Sequence, residues 1–263
     1  MVGTSKWPLR ILVVLLYIFL LGPILIVVPL SFSNDTYLTF PPESWGIRWY
    51  GAMFYHQRMT DAFLVSLAIA SIVTALSLVA GIPAAYCLAR ERFTGRDALL
   101  NLFTAPLLLP TIVLGLSILL VFVRLNLLGT YHGIVIAHLI VTTPYVIRIM
   151  ITSFTTLPAY VEEAAKTLGA SPLVVFRKIT LPLVLPGFVA SAALSFLLSF
   201  DEVIISLFLT GPRLTTLPVE IYNYVESQTD PMAASVSVVL VSATMAIVIV
   251  IERTVGLAKA IGR

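Results

Sequence analysis

Residues 162–182 read EEAAKTLGASPLVVFRKITLP, and the rest of the chain is organised around this stretch. It sets Glu162, Glu163, Lys166, Arg177 and Lys178 between two long apolar runs, so a bilayer core cannot easily contain it. Its punctuation is that of two short helices joined by a turn. Glu162 and Lys166 stand i, i+4 in the favourable order, with the strong helix formers Ala164 and Ala165 between them. Gly169 is placed to stop that helix in a left-handed C′ position. Ser171 and Pro172 then serve as N-cap and N1 of a second helix over Leu173 to Lys178. Pro182 is expected to end it and restart the chain as the next apolar run. A loop that only crossed back could be far shorter. Two readings fit these residues: a compact knob offered to a soluble partner, and an amphipathic loop lying on a membrane.

The flanks are too greasy for water. Hydrophobic residues make up 59% of the 263 and charged residues 11%, with a mean hydropathy of +1.02. A soluble domain carries about 25% charged residues. Six apolar runs occupy residues 9–32, 62–89, 98–123, 133–152, 183–209 and 232–251. Each meets the ~20 residues needed to span a bilayer. The expected fold is therefore an all-α polytopic membrane protein, one domain over 1–263, with six transmembrane helices and a long loop at 154–182. The first run, after Lys6 and Arg10, has the basic start of a signal peptide. It is longer than such a segment and lacks a small-x-small cleavage site, so a retained helix is expected. Pro23 and Pro29 should bend or fray its end, and Gly81 with Pro83 should kink the second run. Pro106 and Pro110 break the third, and Pro144 lies inside the fourth. Residues 33–60 carry Trp45, Trp49, Tyr50 and Tyr55 and suit either an interfacial segment or a lid over the bundle mouth.

Basic residues orient the spans. With the N-terminus inside, the inner side holds Lys6, Arg10, Arg90, Arg92, Arg96, Arg148, Lys166, Arg177, Lys178, Arg253, Lys259 and Arg263. The outer side holds only Arg48, Arg58, Arg124 and Arg213. That asymmetry puts both termini and the 154–182 loop in the cytoplasm. The outer loops carry Asp35, Glu43, Asp61, Glu220, Glu226 and Asp230, giving an acidic mouth. A net charge of +3 without an aromatic–basic stripe gives no reason to expect nucleic acid. The single cysteine, Cys87, excludes a disulfide framework, and His56, His132 and His138 lack ligand spacing, so no metal site is expected. His138, alone in an apolar helix, reads as a hydrogen-bonded packing residue.

The fifth run alone has acids at depth. Asp201 and Glu202 lie roughly 27–30 Å along a helix from Pro182, toward the outer leaflet. Ser191, Ser195, Ser199, Glu202 and Ser206 are spaced by four, four, three and four, which makes one helical face. Asp201 lies about 100° away beside Leu194, Leu197, Ile205 and Phe208. Glu202, Ser195, Ser199 and Ser206 are thus expected to face a substrate pathway with Asp201 flanking it. A structural pairing with a base or a freed backbone group fits the same acids.

The pattern Glu163-Ala164-Ala165, three residues, Gly169, nine residues, Ile179, one residue, Leu181-Pro182 resembles the EAA motif of ATP-binding-cassette importer permeases. Every defined position is matched, and the similarity runs over all six spans. The resemblance implies a type I (MetI-like) permease fold whose loop forms cytoplasmic coupling helices seated in a cleft of an ATPase subunit. It implies that Glu162, Glu163, Ala164, Ala165, Gly169, Ile179, Leu181 and Pro182 belong to that coupling element. In it Glu163 meets a basic partner, Ala164 and Ala165 allow close contact, and Gly169 makes the turn. It further implies a second homologous permease subunit, two ATPase subunits, a periplasmic substrate-binding protein and a bacterial inner-membrane location. No G-x-x-x-x-G-K-[ST] loop occurs in the chain, so no cofactor is expected in it. ATP and Mg would be bound by the partner, and this subunit would not be an enzyme.

The segment SFDEVIISLFLTGP, Ser199 to Pro212, is similar to the second permease of spermidine/putrescine importers. That subfamily also takes aminobutyrate, opines and aminoethylphosphonate, so a cationic or zwitterionic amine is the implied cargo. Tyr222 and Tyr224 could add cation–π contacts or serve as interfacial anchors. An ion-coupled secondary transporter would want inverted repeats and an ion site, and neither is visible. An intramembrane enzyme would need a nucleophile–base pair, which Asp201 and Glu202 on different faces do not make.

Overall fold

The computed structural model describes residues 7–255. Lys6, Lys259 and Arg263, counted above on the inner side, lie outside the described residues. In chain order the helices are α1 (Trp7–Ser31), α2 (Arg48–Tyr55), α3 (Gln57–Arg90), α4 (Arg96–Thr104), α5 (Thr111–Arg124), α6 (Tyr131–Thr156) and α7 (Ala159–Thr167). Then come α8 (Pro172–Val175), α9 (Leu181–Leu183), α10 (Leu185–Phe200), α11 (Ile204–Leu209), α12 (Leu217–Ser227) and α13 (Met232–Val255). A short 3₁₀ turn, Ala105–Leu108, follows α4, and a π turn, Phe176–Thr180, joins α8 to α9. No strand occurs among the described residues.

Among the described residues, four helices are long and apolar enough to cross a membrane: Leu9–Ser31, Gln57–Arg90, Tyr131–Thr156 and Met232–Val250. The other two expected spans are not straight: the third is broken at Pro110, one of the two prolines expected to interrupt it, whereas the fifth, read as one run over 183–209, is bent near its start and interrupted at 201–203. Arg96–Leu108 meets Thr111–Arg124 at 104°, and Pro172–Leu183 meets Leu185–Phe200 at 74°. Prolines cause both breaks. Pro110 has no N–H for the carbonyl of Pro106, which accepts from Leu109 instead, and Leu109 itself is extended at φ −93°, ψ 139°. In the fifth run, Pro182 does not end the helix as expected. The helix passes through it by widening to the π turn, where the Leu181 N–H reaches the Phe176 carbonyl. The bend falls at Val184 (φ −95°, ψ 8°), ahead of Pro186, which cannot donate to the Pro182 carbonyl. α5, at 14 residues, rises only about 21 Å.

The helices assort into two compact units. One is the chain up to Thr60 together with Ile221–Thr244, and the other is Asp61–Glu220 with the chain from Met245. In the first, α1 continues through Pro23 and Pro29 to Ser31, its apolar side chains exposed along its length as a lipid-facing helix requires. Ser31 is the joint: its carbonyl accepts from Ser235 Oγ on α13 (3.0 Å), and its Oγ pairs with Tyr50 Oη on α2 (2.7 Å). Residues 33–49 are knotted on Asp35, whose carboxylate accepts from the Glu43 and Ser44 N–H groups and from the Thr39 and Ser44 hydroxyls. Trp49 is buried and donates its indole N–H to the Asp35 carbonyl (3.1 Å), while Trp45 and Tyr55 are exposed.

In the second unit α6 is the central post, buried on several sides by Ile134, Ala137, His138, Thr142, Val146, Ile147, Met150 and Phe154. Thr130 caps it by accepting from the Gly133 N–H at 3.1 Å. Apolar clusters sit toward its two ends. Ile69, Val73, Ile118, Phe122, Ile134, Ala137, Ile205 and Leu209 form one, and Ala85, Leu88, Val146, Ile147, Met150, Phe154 and Val184 the other. Between them Ser77 on α3 pairs with Thr142 Oγ1 at 2.8 Å. Gly187 marks a close approach of α10 to α6, since a Cβ there would meet Ser153 Oγ at 1.8 Å.

Candidate functional site

The loop after α6 folds as a two-helix knob. α7 ends at Gly169, which takes φ +84°. Its N–H donates to the Lys166 carbonyl (3.0 Å) and the Ala170 N–H to the Ala165 carbonyl (3.1 Å), so two carbonyls of the last turn are satisfied through a left-handed turn that glycine adopts without steric cost. Ser171 is extended at φ −67°, ψ 153°, with Pro172 at the start of α8, although its hydroxyl makes no cap bond. Glu163, Ala164, Lys166, Gly169 and Pro182 face outward. Leu168, 89% exposed, and Leu173, 65% exposed, put apolar surface on either side of the elbow. Ala165 is buried, and Ile179 and Leu181 are half-buried.

Glu162 departs from the expectation. It does not pair with Lys166 on the surface but turns inward and is 3% exposed. Its Oε2 lies 3.0 Å from Arg90 Nε at the end of α3, and its Oε1 accepts from Thr180 Oγ1 at 2.7 Å and from Arg90 Nη2 at 3.3 Å. Arg90 Nη1 also donates to the Leu157 carbonyl that ends α6 (3.1 Å). Beside this centre the Tyr86 ring meets Phe154 edge-on at 5.2 Å and Phe176 at 5.5 Å. Sequence reasoning counted Arg90 only as an orienting charge. Its one local signal is its place as the last residue of a long apolar run.

The fifth run also differs from one continuous face. Ser191, Ser195, Ser199 and Ser206 do share a side, but that side is buried. Ser199 Oγ lies 2.9 Å from His138 Nδ1 and Ser206 Oγ 3.0 Å from His138 Nε2, so these hydroxyls are committed to α6 and do not line an open path. His138 is the hydrogen-bonded packing residue expected. The helix stops at Phe200, and residues 201–203 are irregular, so Glu202 leaves the serine face. Its Oε1 accepts the Ile205 N–H at 3.0 Å and restarts the chain as α11. Glu202 is half-buried and Asp201 exposed, close in sequence to Phe200, which stacks on Phe196 (5.7 Å) and meets Phe63 edge-on (6.1 Å).

Tyr222 and Tyr224 donate their hydroxyls to Glu226 and Asp230, each at 2.6 Å, and Tyr224 meets the His56 ring edge-on at 5.4 Å. Burial first, then the bond to the Asp230 carboxylate, pushes the Tyr224 phenol up. These tyrosines are therefore engaged by acids of their own loop. Among the described residues no group of three His, Cys, Asp or Glu side chains is placed to hold a metal ion.

Residues 77–257 match the family described as binding-protein-dependent transport system inner membrane component. The chain is 35% identical over 244 residues to the putrescine transport system permease protein PotI of Escherichia coli K12, covering 90% of this chain and 86% of that protein. It is 31% identical to the spermidine/putrescine permease PotC of Haemophilus influenzae, covering 89% and 90% respectively. Among solved structures, a bacterial ABC transporter involved in alginate import superposes with a TM-score of 0.65 at 22% identity, over 95% of this chain and 96% of that one. That last likeness speaks to fold alone.

Proposed function

The chain belongs to the family of binding-protein-dependent transport system inner membrane components, and from that premise we propose that it passes a small amine, a polyamine such as putrescine or spermidine, across the bacterial inner membrane. It acts beside a second permease subunit, two ATPase subunits and a periplasmic binding protein. The loop and both termini are cytoplasmic, the ATPase binds ATP and Mg, and this chain performs no chemistry. The observation that carries the reading is the outward face of the 159–182 knob. Glu163 and Ala164 are presented on a helix stopped by Gly169, with Leu168 and Leu173 exposed beside it outside any apolar span. A charged group ringed by apolar side chains on a rigid turn suits insertion into a cleft of a soluble protein. The polyamine assignment is supported by the relatives above and by the acids Asp201 and Glu202 directly following Phe200, which stacks on Phe196, since acids and aromatics together suit an organic cation.

The ATP cycle then works by differential affinity. The nucleotide-bound ATPase dimer favours one setting of the knobs and the free dimer another, so each nucleotide state biases the permease pair toward one side. Co-purification and uptake test this together. An ATPase subunit should extract with the chain, and putrescine uptake should stop on ATP depletion. Glu163→Lys should insert normally but lose ATPase binding. Uptake that survives ATP depletion, or full substrate-stimulated hydrolysis in Glu163→Lys, refutes the reading.

A further inference from the structure

Glu162 is a carboxylate adjacent to the exposed docking residue Glu163 yet turned the other way, into the protein. We infer that Arg90, Glu162 and Thr180 form an internal joint that locks the coupling knob to the inner ends of α3 and α6, so that these elements move as one body when the ATPase pulls on the loop. The inference deepens the function proposed above and rests on it.

Four separate pieces of chain meet at the Arg90–Glu162 ion pair. Arg90 ends α3, the Leu157 carbonyl ends α6, Glu162 belongs to α7, and Thr180 closes the π turn that leads into α10. Arg90 uses its guanidinium fork on two of them at once, Glu162 and Leu157. A lysine has no such fork and cannot hold both with one rigid group. Glu162 has both oxygens engaged, and Thr180 is fully buried. Such a centre resists shear, because sliding any one piece leaves a buried charge or hydroxyl without its partner. The rings of Tyr86, Phe154 and Phe176 join α3, α6 and the π turn again on the adjoining side. Glu163 and the elbow take no part in these contacts, so one glutamate docks and its neighbour transmits.

The joint predicts rigidity, which a distance can read. In the full complex, spin labels at the native Cys87 and at Lys178→Cys report α3 against the loop. Both sites are exposed. The parent should give one narrow distance, unchanged between the nucleotide-free state and the state trapped with ATP and vanadate. Glu162→Gln keeps an acceptor for Thr180 but removes the charge, and Arg90→Lys keeps the charge but removes the fork. Each should still bring down the ATPase, while the distance broadens or shifts with nucleotide and transport per ATP falls on the order of tenfold. Two results overturn the joint: a parent distance that changes with nucleotide, or variants that keep the narrow distance and full coupling. Loss of ATPase binding in Glu162→Gln also overturns it, because docking belongs to the opposite face. A parent chain that never recruits an ATPase defeats the proposed function instead, and the two failures are thereby distinct.

Discussion

Replacing Gly187 by alanine tests how α10 is seated against α6. A Cβ at 187 would stand 1.8 Å from Ser153 Oγ and 2.6 Å from Ser153 Cβ. Turning the hydroxyl away relieves the first contact but not the second, because Ser153 Cβ is fixed to the α6 backbone. Carbon atoms settle at roughly 3.5–4.0 Å, so the helices must separate by about 1 Å at this crossing. Overpacking of this kind costs about 1–3 kcal/mol. Alanine's better helix propensity returns up to about 1 kcal/mol, which obscures the single mutant. A double-mutant cycle with Ser153→Gly removes that ambiguity, since the propensity gain is present in both backgrounds and cancels. With Ser153 reduced to glycine the nearest remaining atom is Met150 Sδ at 4.0 Å, an ordinary contact. The expected coupling is about 1–3 kcal/mol in favour of the double mutant, read by reversible unfolding of the detergent-solubilised complex. Additivity within about 0.5 kcal/mol would show that the two helices are not in contact here.

Three further outcomes follow from the same geometry. His138→Leu strips partners from Ser199 and Ser206 and should lower stability by about 1–2 kcal/mol in unfolding measurements, with α10 and α11 losing their shared anchor; an unchanged midpoint refutes it. Glu202→Gln keeps the acceptor for the Ile205 N–H and removes only charge, so it should reduce putrescine uptake more than Asp201→Asn does; the reverse order makes Asp201 the pathway acid. The Ser44 hydroxyl, helped by the Glu43 and Ser44 N–H groups, holds the Asp35 carboxyl down at about 2 against an ordinary 3.8. A depressed folded value means stability that is present above 3.8 and lost as pH falls through about 2. Trp49 fluorescence should therefore hold steady down to that range in the parent. In Asp35→Asn the acid transition should vanish.

The sequence made some of this plain and hid the rest for identifiable reasons. Gly169, the outward Glu163 and the packing role of His138 depend on local backbone geometry or on one residue's chemistry against an apolar helix, so a short window suffices. Glu162 was misjudged because the i, i+4 rule describes an isolated helix, whereas its partner Arg90 lies 72 residues away in the chain. The side of α10 occupied by the serines was legible, but what covers it was not, because His138 comes from another helix. The break after Phe200 lacks proline or glycine and is set by Glu202 turning to cap α11, which a periodic reading cannot see. Pro182 misled in the opposite sense, since a π turn carried the helix past it.

The brevity of α5 has a consequence for the lipid. Its flanks, Ile112, Leu116, Leu120 and Val123, are exposed and apolar, a surface suited to acyl chains. Yet its ~21 Å rise falls short of the ~30 Å of hydrocarbon in an average bilayer. The 104° bend at its N-terminal end turns α4 aside instead of extending the helix. A helix this short in an average bilayer would be matched by local thinning, with Arg124 at its C-terminal end able to snorkel toward the headgroups. Where lipid covers this flank, the membrane would be dented beside α5, and the bilayer's stiffness would enter the energy that α5 and α11 feel whenever they shift.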